Sequence, residues 1–129
     1  MGNNAFKDER WEDAVNYYTH AISKDDRDYV CYSNRSAAYL KQGELIKALE
    51  DAGRCISICP TYNKGHIRRV GVYHHMEEFE DAVDAYLEAL EMCPNDKTLQ
   101  KGLRAAQKRV QKSQDPVGDE EKVLQTFKF

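Results

Sequence analysis

FEDAVDAYLEALEM occupies residues 79–92, LIKALEDAGRCISI residues 45–58 and WEDAVNYYTHAISK residues 11–24. The three stretches are evenly spaced along the chain and keep small and bulky positions in step. Ala14, Ala48 and Ala82 make one small-residue series, and Ala21, Cys55 and Ala89 a second. Trp11, Leu45 and Phe79 make a bulky series. A fixed period of this length belongs to a helix–turn–helix unit that cannot bury its apolar face alone and does so by stacking on its neighbours. The expected fold is therefore all-α, a right-handed α-solenoid of three repeats closed by a C-terminal capping helix.

Working outward with this ruler, helices are expected over 2–8, 11–24, 28–41, 44–57, 62–75, 78–91 and 95–112. Pro60 and Pro94 close the second and third units, where a helix has to stop. The connections are short and polar, which makes successive helices antiparallel neighbours. Ala14, Ala48 and Ala82 let paired helices approach, while Ala21, Cys55 and Ala89 face the next unit. Tyr18 and Tyr86 occupy matching places, but the second unit has Ala52 there. That spot is either less filled or occupied by a neighbour. The last helix carries Leu99, Leu103, Ala106 and Val110 as a narrow apolar stripe with Lys and Arg elsewhere. It is expected to cap the open end over 97–112. Residues 113–129 are expected to be an acidic linker and a mobile tail ending in KVLQTFKF.

The 129 residues suffice for one domain with a modest core. A 41% hydrophobic and 32% charged composition is that of a soluble globular chain. A net charge of −3 gives no bulk electrostatic case for nucleic acid. No apolar run is long enough for a membrane span, and the polar opening MGNNAFKDER is not a signal peptide. Cys31, Cys55, Cys59 and Cys93 lack a Cys-x-x-Cys pair, so reduced thiols in a cytoplasmic protein are expected.

GNNAFK at 2–7, YSNRSAAYLK at 32–41 and KGHIRR at 64–69 carry a more specific likeness. Over about residues 1–112 the chain resembles a tetratricopeptide repeat domain, with repeats near 1–28, 29–62 and 63–96. It is most similar to the carboxylate-clamp domains of Hsp-organising (Sti-type) chaperone adaptors. The resemblance implies that a concave groove binds the C-terminal Glu-Glu-Val-Asp peptide of heat-shock chaperones of the seventy- or ninety-kilodalton class. It places clamp residues at Asn3, Asn34, Lys64 and Arg68. The family's remaining cation would fall four residues before Asn3, ahead of Met1. Either the chain is trimmed inside its first helix or the clamp has four residues, and lower affinity is expected in both cases. Phe6, Ala37 and Lys41 join the expected peptide-binding set, with Ala38, Leu40, His66 and Ile67 as further groove candidates.

Those residue types suit an acidic chain terminus. Lys64 and Arg68 are four apart and share a helix face. Arginine offers a planar fork to a carboxylate, and lysine a mobile point charge. Asparagine amides both donate to and accept from a peptide backbone. No catalytic constellation, phosphate loop, cofactor motif or metal motif is recognisable, so the expectation is a monomeric binding module and not an enzyme. Neighbouring His74 and His75 point about 100° apart on a helix and do not converge on a metal. Two rival readings keep the fold: a scaffold for some other partner or for self-association, and the targeting domain of a larger enzyme.

Overall fold

The computed structural model describes residues 10–127, with side chains described for residues 10–112. Six helices follow in order: α1 (Trp11–Lys24), α2 (Tyr29–Gln42), α3 (Leu45–Ile58), α4 (Asn63–His75), α5 (Phe79–Met92) and α6 (Lys97–Phe127). Trp11, Leu45 and Phe79 each open a helix of 14 residues, so the bulky series marks the start of every second helix of a repeat. The helix expected over 2–8 lies outside the described residues.

The four expected helices from 28 to 91 sit one residue later at their starts, and at the first of them the preceding residue is a side-chain cap. Asp28 Oδ1 accepts the Cys31 N–H at 3.1 Å, which satisfies a donor the first helical turn leaves free. Asp96 does the same for α6, accepting the Leu99 N–H at 3.0 Å. α6 also runs on to Phe127, where a linker was expected from 113. Pro116 and Gly118 are its only helix-breaking residues after 112, and good helix formers such as Gln114, Glu120, Glu121 and Lys122 surround them.

Small residues set the packing. Ala14, Ala48, Ala82, Cys55 and Ala89 are fully buried, and Ala21 is half-buried. Within the second repeat the Ser36 hydroxyl donates to the Ala48 carbonyl at 2.6 Å, which requires α2 and α3 to lie close. Between repeats, a Cβ on Gly65 would come within 2.8 Å of the Cys55 sulfur, so only glycine admits this approach of α4 to α3. The largest core cluster joins α4, α5 and α6 through Val70, Ala85, Tyr86, Leu99 and Ala106. Leu103 packs against it, so the apolar stripe of α6 covers the third repeat.

Each helix packs on the next in sequence, and α2 also approaches α4 directly. The first helices of the second and third repeats, α2 and α4, therefore lie side by side as the inner layer of the stack. The turns repeat as faithfully as the helices. In one, Gly43 donates to Leu40 O at 3.0 Å and Glu44 to Tyr39 O at 2.9 Å. In the next, Glu77 donates to His74 O at 3.1 Å and Glu78 to Tyr73 O at 2.9 Å. Both turns need a left-handed residue, and they use Gly43 at φ 79° and Glu77 at φ 57°.

Candidate functional site

Asn34 on α2 and Arg68 on α4 are one full period apart and hold the same place in successive inner helices. Lys64 lies one turn before Arg68 and is exposed. Asn34 and Arg68 are half-buried. Neither Asn34 nor Lys64 has a side-chain hydrogen bond or ion pair to a described residue. Arg68 is more unusual, because its Nε–H is buried and has no hydrogen-bond partner among the described residues. Burial pushes its pKa down, and the groups around it are Tyr62, Cys55 and Tyr18, with no carboxylate among them. A desolvated cation without a counter-ion is costly to the fold and primed for an anion.

The repeat period pairs Arg68 with Ala52. In the third repeat, Tyr86 fills the place in front of Gly102, where a Cβ would meet the tyrosine ring at 2.4 Å. One period earlier, Ala52 stands in the place of Tyr86, and Arg68 in the place of Gly102. The large and small residues are thus exchanged between the two repeats at these matching positions. Ala52 is fully buried, so a neighbour does cover it.

Two neighbouring polar side chains of the inner helices, Arg35 and Asn63, are committed. Arg35, next to Asn34, grips buried Asp51 side-on, with Nε at 2.7 Å from Oδ2 and Nη2 at 2.8 Å from Oδ1. Its Nη1 reaches Thr19 Oγ1 at 3.1 Å, and its guanidinium lies over Tyr32 and Tyr39. This ties α1, α2 and α3 together. The hydrogen bond to Asp51 raises the arginine's pKa above its ordinary value. Asn63 donates to Asp96 Oδ2 at 2.7 Å and anchors the start of α4 to the start of α6, one residue before Lys64.

The remaining candidates fall differently. Lys41 is exposed on α2, two turns beyond Asn34. Ala37 and Ala38 are buried and present almost no surface. His66 is not a groove residue: it is 1% exposed, and its ring Nε2 donates to the Pro60 carbonyl at 2.7 Å. Leu40 and Ile67 are half-buried. Asn3 and Phe6 lie outside the described residues. His74 is engaged through Nε2 with the Tyr86 hydroxyl at 2.8 Å. All four cysteines are free thiols. Burial pushes Cys31 and Cys55 up to about 11, which leaves them protonated and unreactive at neutral pH. The pairing of Arg35 with Asp51 and the meaning of Ala52 were missed from the sequence. The repeat period was the available signal for the second, since it already marks Ala52 as the odd member of its series.

Known proteins of the same shape and sequence pattern fit this geometry. A family model described as tetratricopeptide repeat matches residues 62–96. The Hsp70-Hsp90 organizing protein 2 of Arabidopsis thaliana is 38% identical over 112 residues, covering 87% of this chain and 20% of the relative. The Hsp70-Hsp90 organising protein of Plasmodium falciparum is 41% identical over 103 residues, covering 80% of this chain and 41% of the relative. The chain thus spans well under half the length of these relatives. Among solved structures, the Sgt2 TPR domain from Aspergillus fumigatus superposes with a TM-score of 0.81 at 28% identity, covering 88% of this chain and 76% of that one. The first TPR domain of Spaghetti (RPAP3), solved bound to the HSP90 peptide SRMEEVD, superposes with a TM-score of 0.76 at 26% identity, covering 84% and 89%. The chain is a tetratricopeptide repeat domain that resembles those of the Hsp70-Hsp90 organizing proteins.

Proposed function

We propose that this domain binds the acidic C-terminal Glu-Glu-Val-Asp peptide of a heat-shock chaperone of the seventy- or ninety-kilodalton class, and acts as a cytoplasmic co-chaperone adaptor without catalytic activity of its own. The observation that carries this reading is Arg68, a desolvated guanidinium with no carboxylate among the described residues around it. Lys64 and Asn34, on the same inner layer, have no side-chain hydrogen bond or ion pair among the described residues. The terminal aspartate of such a peptide brings two carboxylates, one for each cation, and Asn34 serves the peptide backbone. Asn3 and Phe6 are proposed to complete the set, and residues 1–112 to be the binding unit. Two similar domains were solved with peptides of this chemistry, SRMEEVD and SGPTIEEVD.

Each charge-assisted hydrogen bond contributes about 1.5–3 kcal/mol net. Two or three of them, less the cost of ordering a flexible tail, correspond to roughly micromolar affinity. The test is fluorescence polarisation with labelled SRMEEVD as the free acid and as the C-terminal amide. Micromolar binding of the acid with none of the amide is the expected result. Equal binding of the two forms, or affinity unchanged between low and high salt, would overturn the clamp and favour the scaffold reading.

A further inference from the structure

We propose a second docking surface, the groove between α5 and α6, for a basic amphipathic helix of a partner protein. Two adjoining hollows of about 430 and 330 Å³ share Glu80 and Val110. Phe79, Val83 and Val110 give the groove its apolar lining. Glu77, Glu78, Glu80 and Asp84 line one wall, and none of the four carboxylates is in an ion pair with a described residue. Gln107 and Gln111, one turn apart on α6, supply neutral hydrogen-bonding groups opposite. The single cation among the described lining residues, Arg109, is stacked 4.5 Å over the Phe79 ring. The groove is thus acidic and apolar together. The complement is a helix with leucine-like side chains on one face and lysine or arginine beside them.

Glu77 strengthens the assignment. The same turn one repeat earlier has Gly43, the residue that takes a left-handed conformation at least cost. Here the chain holds a glutamate at φ 57°, and that places a carboxylate at the mouth of the groove. Strain of this kind persists where surrounding structure or function demands it. The sign of the charge also separates this surface from the concave clamp, whose cations select an acidic peptide. One domain then takes two partners of opposite charge without competition.

The probe is a synthetic helical peptide of leucine, glutamine and lysine with one apolar and one cationic face, titrated into the isotope-labelled chain. Amide shifts are expected at residues 77–84 and 107–111, with Asn34, Lys64 and Arg68 unmoved. The variant Glu78→Gln/Glu80→Gln/Asp84→Asn should bind about tenfold more weakly, the sum of several modest ion pairs. A control that removes three exposed carboxylates elsewhere, Glu12→Gln/Glu50→Gln/Glu91→Gln, should bind as the parent does. Glu77→Gly separates binding from folding, since it relieves φ 57° and should melt no lower while also binding more weakly. Equal weakening by the control, or shifts spread over the whole acidic surface, would overturn the proposal.

Discussion

Arg35 and Arg68 are two half-buried arginines of the inner helices, and the molecule treats them in opposite ways. Arg35 has a bidentate partner in Asp51, a hydroxyl in Thr19 and two aromatic faces. Arg68 has a buried Nε–H with no partner and no carboxylate around it among the described residues. The first is a fastener between three helices. The second has a desolvated Nε–H with no partner among the described residues, and is the residue on which the proposed peptide binding rests. Two residues of one type at similar depth are told apart only by what faces them.

The contrast can be broken at several points. The largest effect is expected from Arg35→Ala, which leaves Asp51 buried and unpaired. A loss of about 3–5 kcal/mol is expected in urea unfolding, and a loss below about 1 kcal/mol would remove the distinction. Next comes Arg68→Met. Peptide affinity should fall about tenfold to a hundredfold, while thermal melting holds or rises, because a half-buried charge with no carboxylate around it among the described residues is gone. A large drop in melting temperature would make Arg68 a structural residue like Arg35.

Asp96 sharpens the comparison through pH. The amide of Asn63, and then the Leu99 N–H, hold its carboxyl below the usual carboxylate range. A depressed pKa means the ionised form stabilises the fold. That contribution is whole above the unfolded value of about 3.9 and is lost as pH falls through the lower folded value. Asp96→Ala should cost about 1 kcal/mol at pH 7, and the two proteins should converge in stability under strongly acidic conditions. A gap that persists there would mean that the charge of Asp96 is irrelevant. The smallest effect distinguishes two buried serines of α2. Ser36 donates to the Ala48 carbonyl, whereas the Ser33 hydroxyl is buried without a partner among the described residues. Ser36→Ala should cost about 1 kcal/mol, and Ser33→Ala should be neutral or slightly stabilising. Calorimetry on the pair is sufficient.

The helices from α1 to α5 were legible to within a residue or two because each depends on local pattern. Trp11, Leu45 and Phe79 open their helices as the period requires. The run from 113 differs, since Pro116 and Gly118 read as a linker while the backbone continues as helix to Phe127. Lys64, Arg68 and Asn34 were identified as candidates from residue type and resemblance. His66 was not placed correctly, because spacing on a helix does not reveal that Pro60, back in the preceding turn, accepts its Nε2–H.

The amino-acid sequence alone determined the period, the helix count over the described residues and the i, i+4 placement of Lys64 and Arg68. All of these follow from short-range backbone geometry and from side-chain size repeated once per unit. Only the tertiary structure decided which charges are paired. Asp51 meets Arg35 from another helix, the Arg68 Nε–H is buried without a partner among the described residues, and α6 meets α5 to form the acidic groove. Those outcomes depend on how neighbouring helices are set against one another, and burial, which makes a missing partner matter, exists only once they are packed.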